Sequence, residues 1–363
     1  MAKEDNTAAA IEQLGSMSLG EKCAERKSEP ENNEDAENNG TPTQKKLCSW
    51  CGKESDTAKK CTACKCVWYC DKECQNKHWK EHKKECKRIR RVLVKRGGKL
   101  DLGTELDVGP LGKVPPQEEC PICMRVLPIH PMLTTYFNCC GKTLCRACSY
   151  QHQRKSMELA AERGQSLAPP TCAFCREPVS KSVEEALVRT RKRVELNDPV
   201  AVCNMAMKCG YGEDGLPVNR AKCIDLLRQA ADHGHPDAQY QLGTFYRTGE
   251  MGLDENHEEA LRYYKRAAES GHLGAHHNVG YMEESNGDIA AAMRHWRLSA
   301  SGGFTDSMDS LINCFGGGVL HHDDLAETLR ARYLAKDEMK SEDRDEFIKF
   351  LKSIGEYEEE YDL

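Results

Sequence analysis

The chain has 363 residues, enough for two or three domains, but only 39% are hydrophobic and 6% aromatic, which fits several small units better than one large core. A formal charge of -6 argues against a protein built around polyanion binding. The opening residues lack the apolar stretch of a secretory signal, and no run reaches the ~18 apolar residues that span a bilayer, so no membrane segment is expected. The 21 cysteines are therefore expected in a reducing compartment, cytoplasmic or nuclear, as metal ligands rather than disulfides.

Residues 1–44, rich in Glu, Asn, Lys, Ser and Thr, contain little that could fill a core and are expected to form a disordered arm. A first cysteine cluster occupies 45–90, with the spacing Cys48-x2-Cys51-x9-Cys61-x2-Cys64-x5-Cys70-x3-Cys74-x7-His82-x3-Cys86. A Cys-x2-Cys turn places two thiolates on one tetrahedral ion. His82 and Cys86 lie at i and i+4, the spacing that puts two side chains on one helix face, and Cys70 and Cys74 share that spacing. Eight ligands make two closed four-coordinate sites, which hold shape and leave no position for a catalytic water.

This cluster resembles the MYND finger over its full length, with Gly52-Lys53 after the second cysteine, Tyr69 before Cys70, Gln75 after Cys74, and Trp79 three residues before His82. The resemblance implies an interleaved pairing. Cys48, Cys51, Cys70 and Cys74 would hold one Zn(2+), and Cys61, Cys64, His82 and Cys86 the other, leaving Cys66 as a spare thiol. It also implies a protein-binding module for proline-containing peptides, with Gln75 and Trp79 bordering the groove. Trp79 has an equal alternative as a packing residue. Many MYND proteins also carry a SET methyltransferase domain, for which no candidate segment is present.

Between the clusters, 91–116 contains GGK, GPLG and VPP and reads as a linker. The basic run at 83–99 suits nuclear import or an RNA contact, or else the solvated face of a helix whose apolar stripe is Ile89, Val92 and Leu93; the stripe and the acidic net charge favour the last.

The second cluster, at 117–180, is Cys120-x2-Cys123-x15-Cys139-Cys140-x4-Cys145-x2-Cys148-x23-Cys172-x2-Cys175, enough thiols for two more zinc ions. Its order resembles an all-cysteine RING finger, with Lys142 where a histidine often stands and with Cys172-Ala-Phe-Cys175 lacking the family's proline. The resemblance implies one site from Cys120, Cys123, Cys145 and Cys148, and another from Cys140, Cys172, Cys175 and Cys139. Cys139 is the less supported of the adjacent pair, and His130 and His152 are reserves. It further implies contact with a ubiquitin-conjugating enzyme through Ile122 and a ubiquitin-steering role for Arg176. Packing and surface solvation are the competing explanations.

A connecting helix is expected at 181–197. From there Ala201, Ala238 and Ala275 recur at a fixed period, and Ala231-Asp-His-Gly234-His235 matches Ala268-Glu-Ser-Gly271-His272. Each unit reads as a helix pair that cannot bury its apolar face alone and so stacks, with Leu242, Tyr246, Leu261 and Tyr264 filling between helices. The segment at 198–340, best in AQYQLGTFYRTGE…EEALRYYKRAAESGH, resembles Sel1-like repeats, which implies an α-solenoid that binds proteins. A terminal helix and acidic tail occupy 341–363.

The resulting fold class is multi-domain: two small zinc-stabilised fingers, MYND and RING-like, followed by an all-α Sel1-like solenoid. The expected function is a zinc-binding adaptor with protein partners. A RING-type ubiquitin ligase and a nucleic-acid-associated regulator are the alternatives, with no catalytic residue of the chain's own in any of them. If the modules fold independently, a chelator should unfold 45–180 and spare the helices of 198–336.

Overall fold

The computed structural model describes residues 46–114, 116–164, 166 and 169–357. The arm expected at 1–44 and the end of the acidic tail lie outside them. Within the described part, two strand pairs and twelve α-helices follow one another, cysteine clusters first and stacked helices after.

The first cluster holds the antiparallel pair β1 (Lys59–Lys60) and β2 (Trp68–Tyr69), then α1 (Lys72–Lys95). Helix α1 starts where it does because Asp71 caps it: the carboxylate accepts the Cys74 N–H at 2.7 Å. Cys70 therefore precedes the helix instead of sharing its face with Cys74. The buried residues of α1 are His78, His82, Cys86, Ile89 and Leu93, one stripe at helical spacing. The metal-group residues His82 and Cys86 lie in its middle, and the apolar Ile89 and Leu93 follow toward its C-terminal end.

That stripe does not face solvent or a core of the finger's own. It packs on the far end of the chain. Val67, Tyr69, Ile89 and Leu93 share one apolar core with Trp296, Leu311, Phe315, Leu329 and Tyr333. The basic run is accordingly split. Arg88 pairs with Asp309, and Arg96 donates to the Phe315 carbonyl at 2.7 Å and lies over its ring, while Lys83, Lys84, Lys87, Arg90 and Arg91 remain exposed.

The segment after α1 is also held. Leu102, Gly103 and Thr104 donate their backbone N–H groups to the Glu105 carboxylate, which Arg96 also meets at 3.0 Å. Burial acts to raise the Glu105 pKa, but these donors and the guanidinium outweigh it and hold it at about 2. Leu106 N–H then reaches the Val319 carbonyl at 2.9 Å, and Val108 is buried. A segment that reads as linker from its Gly and Pro content runs instead as a strap along the helices.

The second cluster contains the antiparallel pair β3 (Thr134–Phe137) and β4 (Lys142–Cys145), followed by α2 (Arg146–Glu162). Lys142 begins β4 and is exposed. Next come α3 (Val183–Glu195), α4 (Pro199–Tyr211), α5 (Arg220–Asp232), α6 (Pro236–Thr248), α7 (His257–Glu269), α8 (Leu273–Ser285), α9 (Ile289–Ser301), α10 (Thr305–Gly316), α11 (His322–Met339) and α12 (Glu342–Ser353).

The repeat is written in caps and close approaches. Asp198, His235 and His272 cap α4, α6 and α8, while Asn219, Asn256 and Asp288 cap α5, α7 and α9. At the helix crossings, a Cβ on Gly243 would lie 2.7 Å from Tyr264, and one on Gly280 2.5 Å from Trp296, so the partner ring occupies the space a side chain would need. Leu242 and Tyr264 are fully buried; Tyr246 and Leu261 are half-buried.

The second finger also docks on the helices. Tyr136 donates to Asp198 at 2.8 Å and Arg193 donates to the Cys139 carbonyl at 3.0 Å, so one side meets α3 and the start of α4. On the other side Phe347 and Leu351 of α12 join Leu133, Leu144 and Ala147 in a small core, and Gln151 and Arg154 meet Glu346. The described residues thus form one compact unit. No described helix is long and apolar enough to cross a membrane.

Candidate metal centres

Four ligands about 2.3 Å from a tetrahedral zinc stand about 3.8 Å from one another. The described residues contain four groups whose donor atoms all lie within 4.8 Å of each other: Cys48, Cys51, Cys70 and Cys74; Cys61, Cys64, His82 and Cys86; Cys120, Cys123, Cys145 and Cys148; and Cys139, Cys140, Cys172 and Cys175. Individual spacings match the tetrahedral edge: Cys51 to Cys70 is 3.8 Å, Cys61 to Cys86 3.8 Å, Cys120 to Cys148 3.9 Å and Cys140 to Cys172 3.9 Å. These cysteines are free thiols. Geometry and donor chemistry therefore fit Zn(2+), with four donors and a closed shell at each site.

Each group is built on the same local turn. The N–H of the residue after the second cysteine returns to the carbonyl of the first: Gly52 to Cys48, Lys65 to Cys61, Met124 to Cys120 and Arg176 to Cys172, at 2.8–2.9 Å. All four of those residues are left-handed, with φ between 52° and 67°. Only the first is glycine. In the other three an L side chain takes a conformation costing roughly 1–2 kcal/mol, offset by the turn's hydrogen bonds and the metal it prepares. Of the five Cys-x2-Cys pairs, four carry this turn and the fifth, Cys145 and Cys148, opens α2; non-glycine residues at three of the four turns conceal it in the sequence.

Crowding of the thiols drives their acidities in opposite directions. Hydrogen bonds from Cys64 and Cys86 drive the Cys61 thiol far down, while Cys86, bonded to Cys61, is driven far up. Cys120 is lowered by Cys145 and Cys148, and Cys148 is raised by Cys120. A dication resolves this conflict by favouring the thiolate at every position.

In the second cluster both adjacent cysteines fall in one donor group. Cys139 Sγ lies 3.4 Å from Cys175 Sγ, inside the fourth group. The two reserve histidines are elsewhere. His130 caps the short 3-10 turn Pro131–Leu133, accepting from the Met132 N–H at 3.2 Å, and His152 bonds Thr171 at 2.9 Å. Cys66 belongs to no group. It is buried against the helices, 3.4 Å from His322 Nε2, which also meets the Cys64 carbonyl at 3.1 Å.

The remaining candidate residues separate by exposure. Trp79 is 41% exposed, one turn after the half-buried Gln75 on α1, with its ring edge-on to His82 at 6.5 Å. Ile122 is 40% exposed at the tip of its turn, and Phe174 is similarly exposed in the last one. Arg176 is exposed with its guanidinium 2.6 Å from His152 Nδ1. The residues that bind the fingers to the helices, Tyr333, His322, Arg330 and Phe347, lie far along the chain and carry no sequence signal tying them to a finger.

Comparison with known proteins names the first cluster and part of the helical region. Residues 48–86 match the MYND finger, and 199–235 and 236–272 match the Sel1 repeat. Both are protein-interaction modules. Over 45 residues the chain is 47% identical to histone-lysine N-methyltransferase ASHR1 of Arabidopsis thaliana, covering 12% of this chain and 9% of that one. Over 44 residues it is 43% identical to SET domain and MYND-type zinc finger protein 6 of Schizosaccharomyces pombe, again 12% and 9%. The chain thus spans about a tenth of the length of these relatives. Among solved structures, a Sel1 repeat protein from Oxalobacter formigenes aligns with 35% of this chain and 98% of its own at 26% identity, with a TM-score of 0.33. The Escherichia coli protective antigen c5321 aligns with 47% and 36% at 25% identity, with a TM-score of 0.36.

Proposed function

We propose that the protein is a cytoplasmic or nuclear adaptor that holds one partner on the MYND finger and others on the stacked helices. The observation that carries this reading is Trp79. In a finger whose other aromatic residues are buried or half-buried, this indole stands exposed beside Gln75 on α1, while the adjoining stripe of the same helix is used up by metal ligands and by packing. An exposed tryptophan held on a rigid helix is a good contact residue, since little of its freedom is left to lose on binding. The closed metal sites suit scaffolding, because none keeps a position for substrate.

The expected occupant is a proline-containing peptide. Panning a peptide library against the zinc-loaded full chain should enrich such sequences, and Trp79→Ala should keep its zinc and weaken them by about 30-fold or more, the loss expected of a contact worth 2 kcal/mol. Enriched peptides that bind Trp79→Ala unchanged would remove the groove assignment.

Exposed Ile122 and Phe174, on turns of two different metal sites, favour a second reading in which the RING-like finger recruits a ubiquitin-conjugating enzyme. Incubating the full chain with a panel of conjugating enzymes separates the two. Ubiquitin chains that disappear with Ile122→Ala would support the ligase, and their absence with every enzyme would leave the adaptor.

A further inference from the structure

The MYND finger's second metal site has a partner that the finger does not supply. His82 is fully buried, with Nε2 3.3 Å from Cys64 Sγ inside the donor group. Its other nitrogen, Nδ1, lies 3.0 Å from the hydroxyl of Tyr333, 251 residues later on α11. The surroundings fix both rings. His78 stacks on His82 at 5.5 Å and meets Tyr333 edge-on at 4.4 Å, and His78 is itself held by the Tyr69 hydroxyl at 3.0 Å.

An imidazole that gives its Nε2 lone pair to a metal carries its proton on Nδ1. A buried N–H needs an acceptor, and the acceptor settles both the tautomer and the plane of the ring. Here the acceptor is the Tyr333 oxygen. We infer that Tyr333 is a positioning residue of the finger's second zinc site, so that the ion is held most firmly when α11 is docked. Three further contacts clamp the same interface: Arg330 donates to the Cys66 carbonyl at 3.0 Å, His322 meets the Cys64 carbonyl, and Lys340 pairs with Glu81 at 2.5 Å. By linkage, whatever docking adds to zinc affinity, zinc adds equally to docking. A partner that pulls on α11 therefore loosens one specific ion, and loss of that ion frees α11.

The test is chelator-driven zinc release from the full chain, followed with a chromogenic chelator. Tyr333→Phe keeps the ring and removes only the hydroxyl. It should speed release of one ion about 10–100-fold, the usual effect of losing an outer-shell partner, and leave the other ions and the helical signal unchanged. In a His82→Cys background no second nitrogen remains to be held, so Tyr333→Phe should add nothing. Equal release in wild type and Tyr333→Phe would overturn the inference. So would an acceleration of the same size in both backgrounds, which would show the hydroxyl acting through packing. Nitrogen-15 NMR of the His82 ring gives a direct check: the Nδ1–H proton should be slow to exchange in wild type and fast in Tyr333→Phe, and equal protection would count against the role.

Discussion

Stripping zinc from the full chain with a strong chelator should lower amide protection about a hundredfold or more in α10 and α11, residues 305–339, and not in the fingers alone. The physical reason is the shared core. Ile89, Leu93, Val67 and Tyr69 of the first finger are one wall, and Leu311, Phe315, Leu329 and Tyr333 are the other. A finger of this size does not hold its shape without metal, because binding free energy is its folding free energy. When it unfolds, the helices lose the surface that covers them, and each large apolar side chain re-exposed costs about 1.5–3 kcal/mol. Two or more such side chains imply exchange faster by about a hundredfold or more, at 1.4 kcal/mol per factor of ten. The helices from Pro199 to Ser285 form their own cores, around Leu227, Leu242 and Phe245 and around Tyr264 and Val279, and should keep their protection. Hydrogen exchange with and without chelator measures both halves at once. Full protection of 305–339 without zinc would show independent modules, the arrangement the sequence suggests.

Arg297→Ala should cost about 3 kcal/mol in denaturant unfolding. Arg297 is fully buried on α9. Its guanidinium meets Glu327 at 2.6 Å and Asp324 at 3.1 Å on α11, and donates to the Gly109 carbonyl at 2.6 Å in the strap. Breaking a buried pair from one side costs about 3–5 kcal/mol, and the lower end applies because Glu327 and Asp324 reach solvent in part. Arg297→Lys should recover only part of the loss, since a single ammonium cannot reproduce the fork across three acceptors. Faster proteolysis near Gly109 in Arg297→Ala would show that the strap has come free. A loss under about 1 kcal/mol would mean that water replaces the guanidinium without penalty.

The four groups of candidate metal donors were readable because their spacing is local. A Cys-x2-Cys pair is a covalent distance constraint, and few functions other than metal binding put so many such pairs in so short a stretch. His82 and Cys86 are one helical turn apart, and the repeats display their period directly. Cys139 was harder. Its neighbour Cys140 offers the same donor a few ångströms away, and only the packing of α3, where Arg193 holds the Cys139 carbonyl, shows that both sulfurs turn into one group.

What stayed hidden is which face meets which. The stripe of Ile89 and Leu93 has the same spacing whether it covers a finger's own core, a partner or a helix 200 residues away. Gly and Pro mark 91–116 as irregular chain, but irregular chain can hang free or be strapped down by Glu105, Leu106 and Arg297. Local spacing determines the metal donors, the helix periods and the caps, because each depends on residues within a turn or two. The joining of fingers and helices into one unit, with Tyr333 closing on His82, depends on contacts between segments that no local pattern links. Only the folded chain brings those surfaces together.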